Sequence, residues 1–158
     1  MTIMELGALG EFFGAIAIAV TLGYLVVQIR QNTKTLKSSI YTEWVNLSST
    51  VHLMMANNIE LFAGVYSDPD KKFRELNREQ QLAHQAYWQN NMNVYESIYL
   101  NYLQGTVDES VFEAKHRTLV NFLKTNSLQR QTWHEYGERT CDRRFVDYVN
   151  DKVMPEVE

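Results

Sequence analysis

The sequence predicts an all-α protein, and three observations favour this fold class. The 158 residues include only 7 glycines and 2 prolines, the residues that most often interrupt helices. Apolar residues recur at steps of three and four along several segments, which is the spacing of one helix face. We find no segment with the strict apolar and polar alternation of a half-buried strand. The expected architecture is an N-terminal transmembrane helix that continues into a cytoplasmic helical bundle.

Residues 6–30 form the first expected element, a transmembrane helix. Every residue from Phe12 to Val27 is apolar, small or hydroxyl-bearing. Glu11 and Arg30 are separated by about 28 Å of helix at roughly 1.5 Å per residue, and the hydrocarbon core of a bilayer is roughly 30 Å thick. A core helix of a soluble domain rarely runs this long without a polar face. A cleaved signal peptide fits poorly, because no basic segment precedes the apolar run.

The charges that flank this stretch predict its orientation. The side-chain charges before it are Glu5 and Glu11, whereas Arg30, Lys34 and Lys37 follow it. Because positive charge is retained in the cytoplasm, we expect the N-terminus outside and the rest of the chain inside. The lipid bilayer is therefore an expected partner.

Composition argues against other classes of protein. A formal net charge of −4 provides no general surface for nucleic acid, so none is expected as a partner. Cys141 is the single cysteine, which excludes an internal disulfide and suits a reducing cytoplasm.

Residues 31–56 are expected to extend the first helix into the cytoplasm. No glycine occurs between Gly23 and Gly64, so nothing local interrupts the helix. An apolar stripe with a period close to 3.5 residues predicts a packing face along it, formed by Leu36, Ile40, Trp44, Leu47, Val51 and Met54. Asn57 and Asn58 are expected to end the helix.

Residues 57–158 are expected to form the cytoplasmic helical domain. A short helix is predicted over 59–66, followed by a turn over 67–70. Asn77 is expected to cap a long helix with Gln80 in a capping box, and Gly105 is expected to end it. Further boundaries are predicted by their residue types: Asp108 before a helix over 109–124, Ser127 and Gly137 around a short segment, and Thr140 and Pro155 around the last helix.

One face of the long helix carries regularly spaced aromatic residues. Tyrosine keeps a polar tip, so such a face suits both the protein core and water. We regard it as a candidate surface for a protein partner, formed by Trp88, Tyr95, Tyr99 and Tyr102.

No set of residues predicts catalysis, a metal site or a bound cofactor. Glu113 and His116 share a helix face, but di-iron sites of helical bundles need two such pairs. No glycine-rich phosphate loop or nucleophile elbow is present. Glu96 is the one internal acid of note, with Arg143 or Arg117 as an expected partner if it is buried. We therefore do not expect an enzyme.

The first helix has two different sides. Small and polar residues follow alternating steps of three and four, and Glu11 lies within about 60° of their line. Close helix packing uses small residues, and an ionisable residue in a span usually faces protein or water. This pattern predicts self-association through one face, formed by Gly7, Gly10, Glu11, Gly14, Ala17, Thr21, Tyr24 and Gln28.

The same stretch carries a resemblance to other proteins. The sequence GEFFGAIA at 10–17 and the pattern TLxYLxxQIRQNT at 21–33 resemble a group of uncharacterised bacterial single-span membrane proteins. Tyr95, Glu96, Trp133 and a late Phe145-Val146 segment also match this group. The resemblance implies a bacterial inner-membrane location and a single span, and it carries over no catalytic residue.

Two functions follow as expectations. The first is a homo-oligomeric membrane protein whose first helices surround an ion-conducting pore, with Glu11 at the outer mouth and Thr21 and Gln28 along the inner half. The alternative is a membrane-tethered helical scaffold or sensor subunit, in which the same face only packs helices and the cytoplasmic domain binds another protein.

Overall fold

The computed structural model describes residues 3–157, without the side chain of Glu5, and this part of the chain is helical with no strand. The all-α prediction is confirmed. Glu5, one of the charges used to predict orientation, has its side chain outside the described part. The helices are α1 (Ile3–Asn57), α2 (Ile59–Tyr66), α3 (Arg78–Leu103), α4 (Glu109–Thr125), α5 (Ser127–Thr132), α6 (Glu138–Thr140), α7 (Arg143–Tyr148) and α8 (Met154–Val157). A 3₁₀ turn spans Phe73–Glu75, and π-helical turns span Trp133–Gly137 and Val149–Val153.

The chain divides into two units, the first ending at Ile40 and the second beginning at Tyr41. The first unit consists of the N-terminal part of α1, and it exposes its apolar side chains. Phe12 is 61% exposed and Val20 is 67% exposed. By length and composition α1 is the one helix of the described residues that is able to cross a membrane. A contiguous exposed apolar surface of this kind is typical of a membrane contact or a protein contact.

The second unit has its own hydrophobic core between α3, α4 and the C-terminal helices. Trp88 and Met92 of α3 meet Leu119 and Leu123 of α4 and Phe145 of α7, all fully or almost fully buried. The remaining members of this cluster are Val120, Trp133, Val146, Val149, Val153 and Met154. A smaller cluster of Val65, Leu76 and Leu128 joins α2 to α5.

Two predicted helix boundaries are reproduced by local hydrogen bonds. Asn77 accepts from the backbone N–H of Gln80 at 2.9 Å, and Gln80 Oε1 accepts from the N–H of Asn77 at 3.1 Å. This is the predicted capping box, which satisfies two otherwise free donors. After α3, Gly105 has φ +74°, the left-handed conformation that favours glycine at a helix end.

The predicted boundaries of the last helix were wrong. The cap is Asp142, whose Oδ1 accepts from the N–H of Arg144 at 2.9 Å, whereas Thr140 donates its hydroxyl to the carbonyl of Tyr136. Pro155 lies inside α8 instead of ending a helix. It follows a π-helical turn, where the ordinary spacing of hydrogen bonds is already interrupted, so the missing N–H costs less than in a regular helix.

The predicted stripe along 31–56 packs only in part. Trp44 and Val51 are buried, and Trp44 Nε1 donates to Ser97 Oγ of α3 at 3.3 Å. Leu47, between them in the stripe, is 44% exposed. Within the second unit, α1 therefore touches the other helices at separate points, and space remains beside these contacts.

Candidate functional site: a polar and aromatic cavity

That space is a cavity of about 900 Å³ within the second unit. Its volume lies within the roughly 300–1,000 Å³ typical of small-molecule sites. Helix α1 contributes one wall, α3 and α4 contribute the others, and α2 and α5 meet it at one end. The lining residues are Tyr41, Trp44, Val45, Ser48, Ser49, Val51, His52, Met55, Tyr66, Pro69, Tyr87, Asn91, Val94, Tyr95, Lys115, Thr118, Asn121, Phe122, Thr125, Asn126 and Gln129.

The charge of this lining is one-sided. None of the lining residues is acidic, and Lys115 is the one lysine or arginine among them. Lys115 is half-buried, and no carboxylate whose side chain the structure describes lies within ion-pair distance of it. His52 also lines the cavity, with Nδ1 held by the Ser48 carbonyl at 2.7 Å. The charges of the lining therefore favour an anion over a cation.

Aromatic rings form much of the wall. The Phe122 ring lies 5.9 Å from Tyr87 and 6.1 Å from Tyr95, and Tyr66 lies 5.7 Å from Tyr87. Burial raises the pKa of Tyr66, Tyr87 and Tyr95 above the ordinary value of a phenol. These hydroxyls therefore stay neutral, and the wall offers flat apolar faces with polar edges.

One end of the cavity is built on a row of buried hydrogen bonds. The Thr132 hydroxyl donates to the Leu128 carbonyl at 2.7 Å, so its oxygen must accept from His84 Nε2 at 2.7 Å. Burial lowers the pKa of His84 to about 4, and the neutral ring keeps an acceptor at Nδ1. The Tyr66 hydroxyl therefore donates to Nδ1 at 2.9 Å.

Gln129 stands where this row reaches the cavity. Its Nε2 donates to Tyr66 Oη at 3.3 Å. The opposite amide orientation would bring two acceptors together, because the Tyr66 hydrogen is already committed to His84. Gln129 is 4% exposed, and its Oε1 has no hydrogen-bond partner in the described part of the chain. A buried acceptor without a donor is costly, and this one belongs to a residue of the cavity lining.

The predicted aromatic partner surface packs largely inside the domain. Trp88 is 1% exposed, so it is not available to a partner in this structure. Tyr99 stacks on Tyr148 with ring centroids 4.3 Å apart, and Tyr102 stacks on Phe112 at 4.1 Å. These contacts explain the helical spacing of the stripe by core packing.

The predicted oligomer face of α1 is exposed along its whole length. A Cβ built on Gly7, Gly10 or Gly14 meets no atom within 4 Å. The polar members of the face bond within the helix: the Thr21 hydroxyl donates to the Ala17 carbonyl at 2.8 Å, and Gln28 Nε2 donates to Tyr24 Oη at 2.7 Å.

Two charged residues of the predicted Glu96 ion pair have other structural partners. Glu96 accepts from the backbone N–H of Asp142 instead of the expected arginine, and Arg143 pairs with Asp147 at 3.0 Å. Among the described residues no group of three or more His, Cys, Asp or Glu is placed to hold a metal ion.

His116, the histidine of the predicted Glu-x-x-His pair, bonds in two directions. Its Nδ1 lies 2.5 Å from Tyr148 Oη, and its Nε2 lies 2.8 Å from Glu156 Oε1. These contacts tie α4 to the C-terminal helices and leave Glu113 exposed.

Sequence reasoning missed the cavity and the row of hydrogen bonds beneath it. The partners of His84 lie 18 and 48 residues away along the chain, so no local spacing reveals them. One signal was present: His84 stands four residues before Trp88 and eight before Met92, which places it on the buried side of α3.

Comparison with known proteins adds no family to this geometry. No protein-family model, no curated protein and no solved structure matches the chain.

Proposed function

We propose that the chain is a single-span membrane protein of the bacterial inner membrane that self-associates through α1 and presents its helical domain, with its cavity, in the cytoplasm as a sensor or scaffold. The exposure of the apolar side chains of residues 6–29 carries this proposal. Water does not stabilise a helix with such a surface, whereas hydrocarbon does.

Glycines on one side of α1 support self-association. A glycine inside a helix costs about 1 kcal/mol relative to alanine. Nothing in the chain requires glycine at 7, 10 or 14, since the space around each is open. The benefit must come from outside the chain, and close approach of a second helix is the benefit that small residues provide in membranes.

Side-chain hydrogen bonds on this face favour a closed seam over a water-filled pore. The Thr21 hydroxyl and the Gln28 amide each donate within α1. In hydrocarbon a donor with such a partner costs less than a free one, so these two hydrogen bonds favour a dry contact. The membrane-tethered sensor is therefore the first candidate.

Matched substitutions on the two sides of α1 test the assembly. Gly14→Ile places bulk on the small-residue face, and Ala19→Ile places similar bulk on the opposite side. We expect Gly14→Ile to dissociate the oligomer in detergent, measured by light scattering coupled to size-exclusion chromatography, and Ala19→Ile to leave it intact. A monomeric wild-type chain, or equal effects of both variants, would contradict self-association through this face.

Membrane insertion and orientation need a separate measurement. We expect the chain to remain in vesicles after alkaline carbonate washing. In inside-out vesicles, protease should degrade the second unit, and in right-side-out vesicles it should not. Release of the chain by carbonate would exclude the span, and the opposite protection would reverse the orientation.

The pore is the second candidate, favoured by the continuous line of small and polar residues that includes Glu11. In planar bilayers, Glu11→Gln should reduce cation preference if Glu11 surrounds an outer mouth. An oligomer that conducts no current in wild-type form would exclude the pore and leave the tethered sensor.

A further inference from the structure

We infer that the cavity binds a small amphipathic organic anion with an aromatic or apolar body, one N–H or O–H donor for Gln129 Oε1, and an acidic group for Lys115. The inference goes beyond the proposed membrane role and does not depend on it, because every residue it uses belongs to the second unit.

The donor follows from the direction of the buried hydrogen bonds. Each hydroxyl or ring N–H in the row from Thr132 to Tyr66 already has an acceptor. Gln129 therefore cannot turn its carbonyl toward Tyr66, and its Oε1 remains buried without a donor, in a residue that lines the cavity. A small movement of the Gln129 side chain toward the cavity would let a bound N–H or O–H supply the missing hydrogen bond.

The negative charge follows from Lys115. Lys115 is part of the lining of a partly buried cavity, none of whose lining residues is acidic, and no described carboxylate forms an ion pair with it. A ligand anion would gain the interaction without competing with an internal partner, and its attraction is stronger here than on an open surface. A cationic ligand would meet this charge without compensation.

The body of the ligand follows from the walls. Tyr87, Tyr95 and Phe122 present ring faces, and Val45, Val94 and Met55 add aliphatic surface. Such walls favour flat or chain-like apolar groups. A simple inorganic anion would leave most of the roughly 900 Å³ unfilled.

Two fluorescent probes of matched shape test this chemistry. 8-Anilinonaphthalene-1-sulfonate has an aromatic body, an N–H donor and a negative charge, and N-phenyl-1-naphthylamine is its neutral counterpart. Binding is measured to the full chain in zwitterionic lipid nanodiscs, by energy transfer from tryptophan to the probe, with empty nanodiscs subtracted. Trp44 lines the cavity and serves as a donor.

Lys115→Gln should weaken binding of the sulfonate probe by about tenfold, equivalent to about 1.4 kcal/mol, and leave the neutral probe unchanged. Lys124→Gln is the matched control, because Lys124 lies on the same helix, is exposed and does not line the cavity. Gln129→Met should weaken both probes, since both use the N–H. Thermal unfolding of each variant shows whether the fold is retained.

Three results would overturn the inference. These are no binding of the sulfonate probe above empty nanodiscs, equal effects of Lys115→Gln and Lys124→Gln, or unchanged affinity of both probes in a folded Gln129→Met variant. If Gln129→Met fails to fold, Ser49→Trp, which fills the cavity from the exposed side of α1, should abolish binding of both probes. Retained binding in that variant would equally overturn it.

Discussion

Tyr66 donates its phenolic hydrogen to Nδ1 of His84 over 2.9 Å, between a residue of α2 and a residue of α3. The two rings also meet edge to face, with centroids 5.8 Å apart. His84 is fully buried, so this contact holds a neutral imidazole where a charged one would be strongly disfavoured. The stability of the second unit should therefore depend on the protonation state of His84.

Acid should destabilise the second unit through His84. The pKa of His84 falls from 6.5 to about 4 on folding because burial disfavours the charged ring. Between these pH values the unfolded chain binds the proton and the folded chain does not. The His84 contribution is therefore complete above pH 6.5 and decreases as pH falls toward 4, by about 3 kcal/mol. Urea unfolding at several pH values, followed by tryptophan emission, measures it.

Carboxylates also titrate in this range, so the comparison needs two variants. His84→Gln should remove the His84 component and flatten the pH dependence. His52→Gln, at an exposed position, should retain it. Identical pH dependence in all three proteins would mean that His84 is not a buried neutral residue.

Removal of the Thr132 hydroxyl should destabilise the second unit. Thr132→Val keeps the shape but leaves the buried Nε2–H of His84 without its acceptor at 2.7 Å, a cost of about 1–3 kcal/mol. Thr132→Ser keeps the hydroxyl and should therefore lose much less stability. Thr118→Val is the control, because the Thr118 hydroxyl is exposed and donates only to the carbonyl of Ala114. Equal losses in the two valine variants would contradict the buried row.

Truncation of Tyr99 should reduce stability, because its ring packs within the domain. It stacks on Tyr148 at 4.3 Å and lies 5.9 Å from Phe145. Tyr99→Ala should cost about 2 kcal/mol, somewhat less than the loss of a fully buried aromatic ring. Leu103→Ala, at a half-exposed position of the same helix, should cost little. An unchanged unfolding midpoint in Tyr99→Ala would restore the case for an external partner on this face.

A methyl group at position 137 should strain the π-helical turn. A Cβ built on Gly137 lies 2.8 Å from Cε3 of the buried Trp133 ring, closer than carbon atoms approach without strain. Gly137→Ala should therefore cost about 1–3 kcal/mol. In Gly64→Ala the new Cβ meets the flexible end of Gln80, which is able to move. The midpoint temperature of thermal unfolding should be well above that of Gly137→Ala in the Gly64→Ala variant. The reverse order would contradict the packing at Trp133.

Cys141 should react slowly with alkylating agents in the folded chain. Burial raises the pKa of its thiol to about 11, the Thr140 hydroxyl opposes this effect and the Glu96 charge adds to it. At pH 8 roughly one thiol in a thousand is then a thiolate. Iodoacetamide labelling followed by mass spectrometry should be slow at pH 8 and accelerate up to pH 11. The urea-unfolded chain is the control and should label rapidly. Equal labelling rates in the folded and unfolded chains would exclude the raised pKa of Cys141.

The sequence allowed accurate prediction where a boundary depends on neighbouring residues. Asn77 and Gln80 form a capping box within four residues, and Gly105 ends α3 by its own backbone freedom. Such features need no knowledge of the rest of the fold.

Prediction failed where distant contacts decide the local structure. The short helices α5 to α8 are separated by two π-helical turns, and these turns place Trp133 and Val149 in the core. No local pattern indicates a π-helical turn, because packing against α3 and α4 selects it. Thr140 and Asp142 are both good capping residues. Asp142 is the cap because α7 begins directly after it, at Arg143.

The cavity was harder to predict from the sequence than any helix boundary. Its walls come from segments between Tyr41 and Gln129, and its volume depends on where packing is incomplete. Polar residues such as Ser48 and Asn91 are ordinary in a helical sequence. They acquire significance only when the fold brings them around one space.

The row of hydrogen bonds beneath the cavity ends at the Leu128 carbonyl, an atom that has no proton to release. A proton that entered at Gln129 would have no exit at the other end. The row therefore does not conduct charge. It fixes the relative positions of α2, α3 and α5, and it holds the Gln129 amide in one orientation.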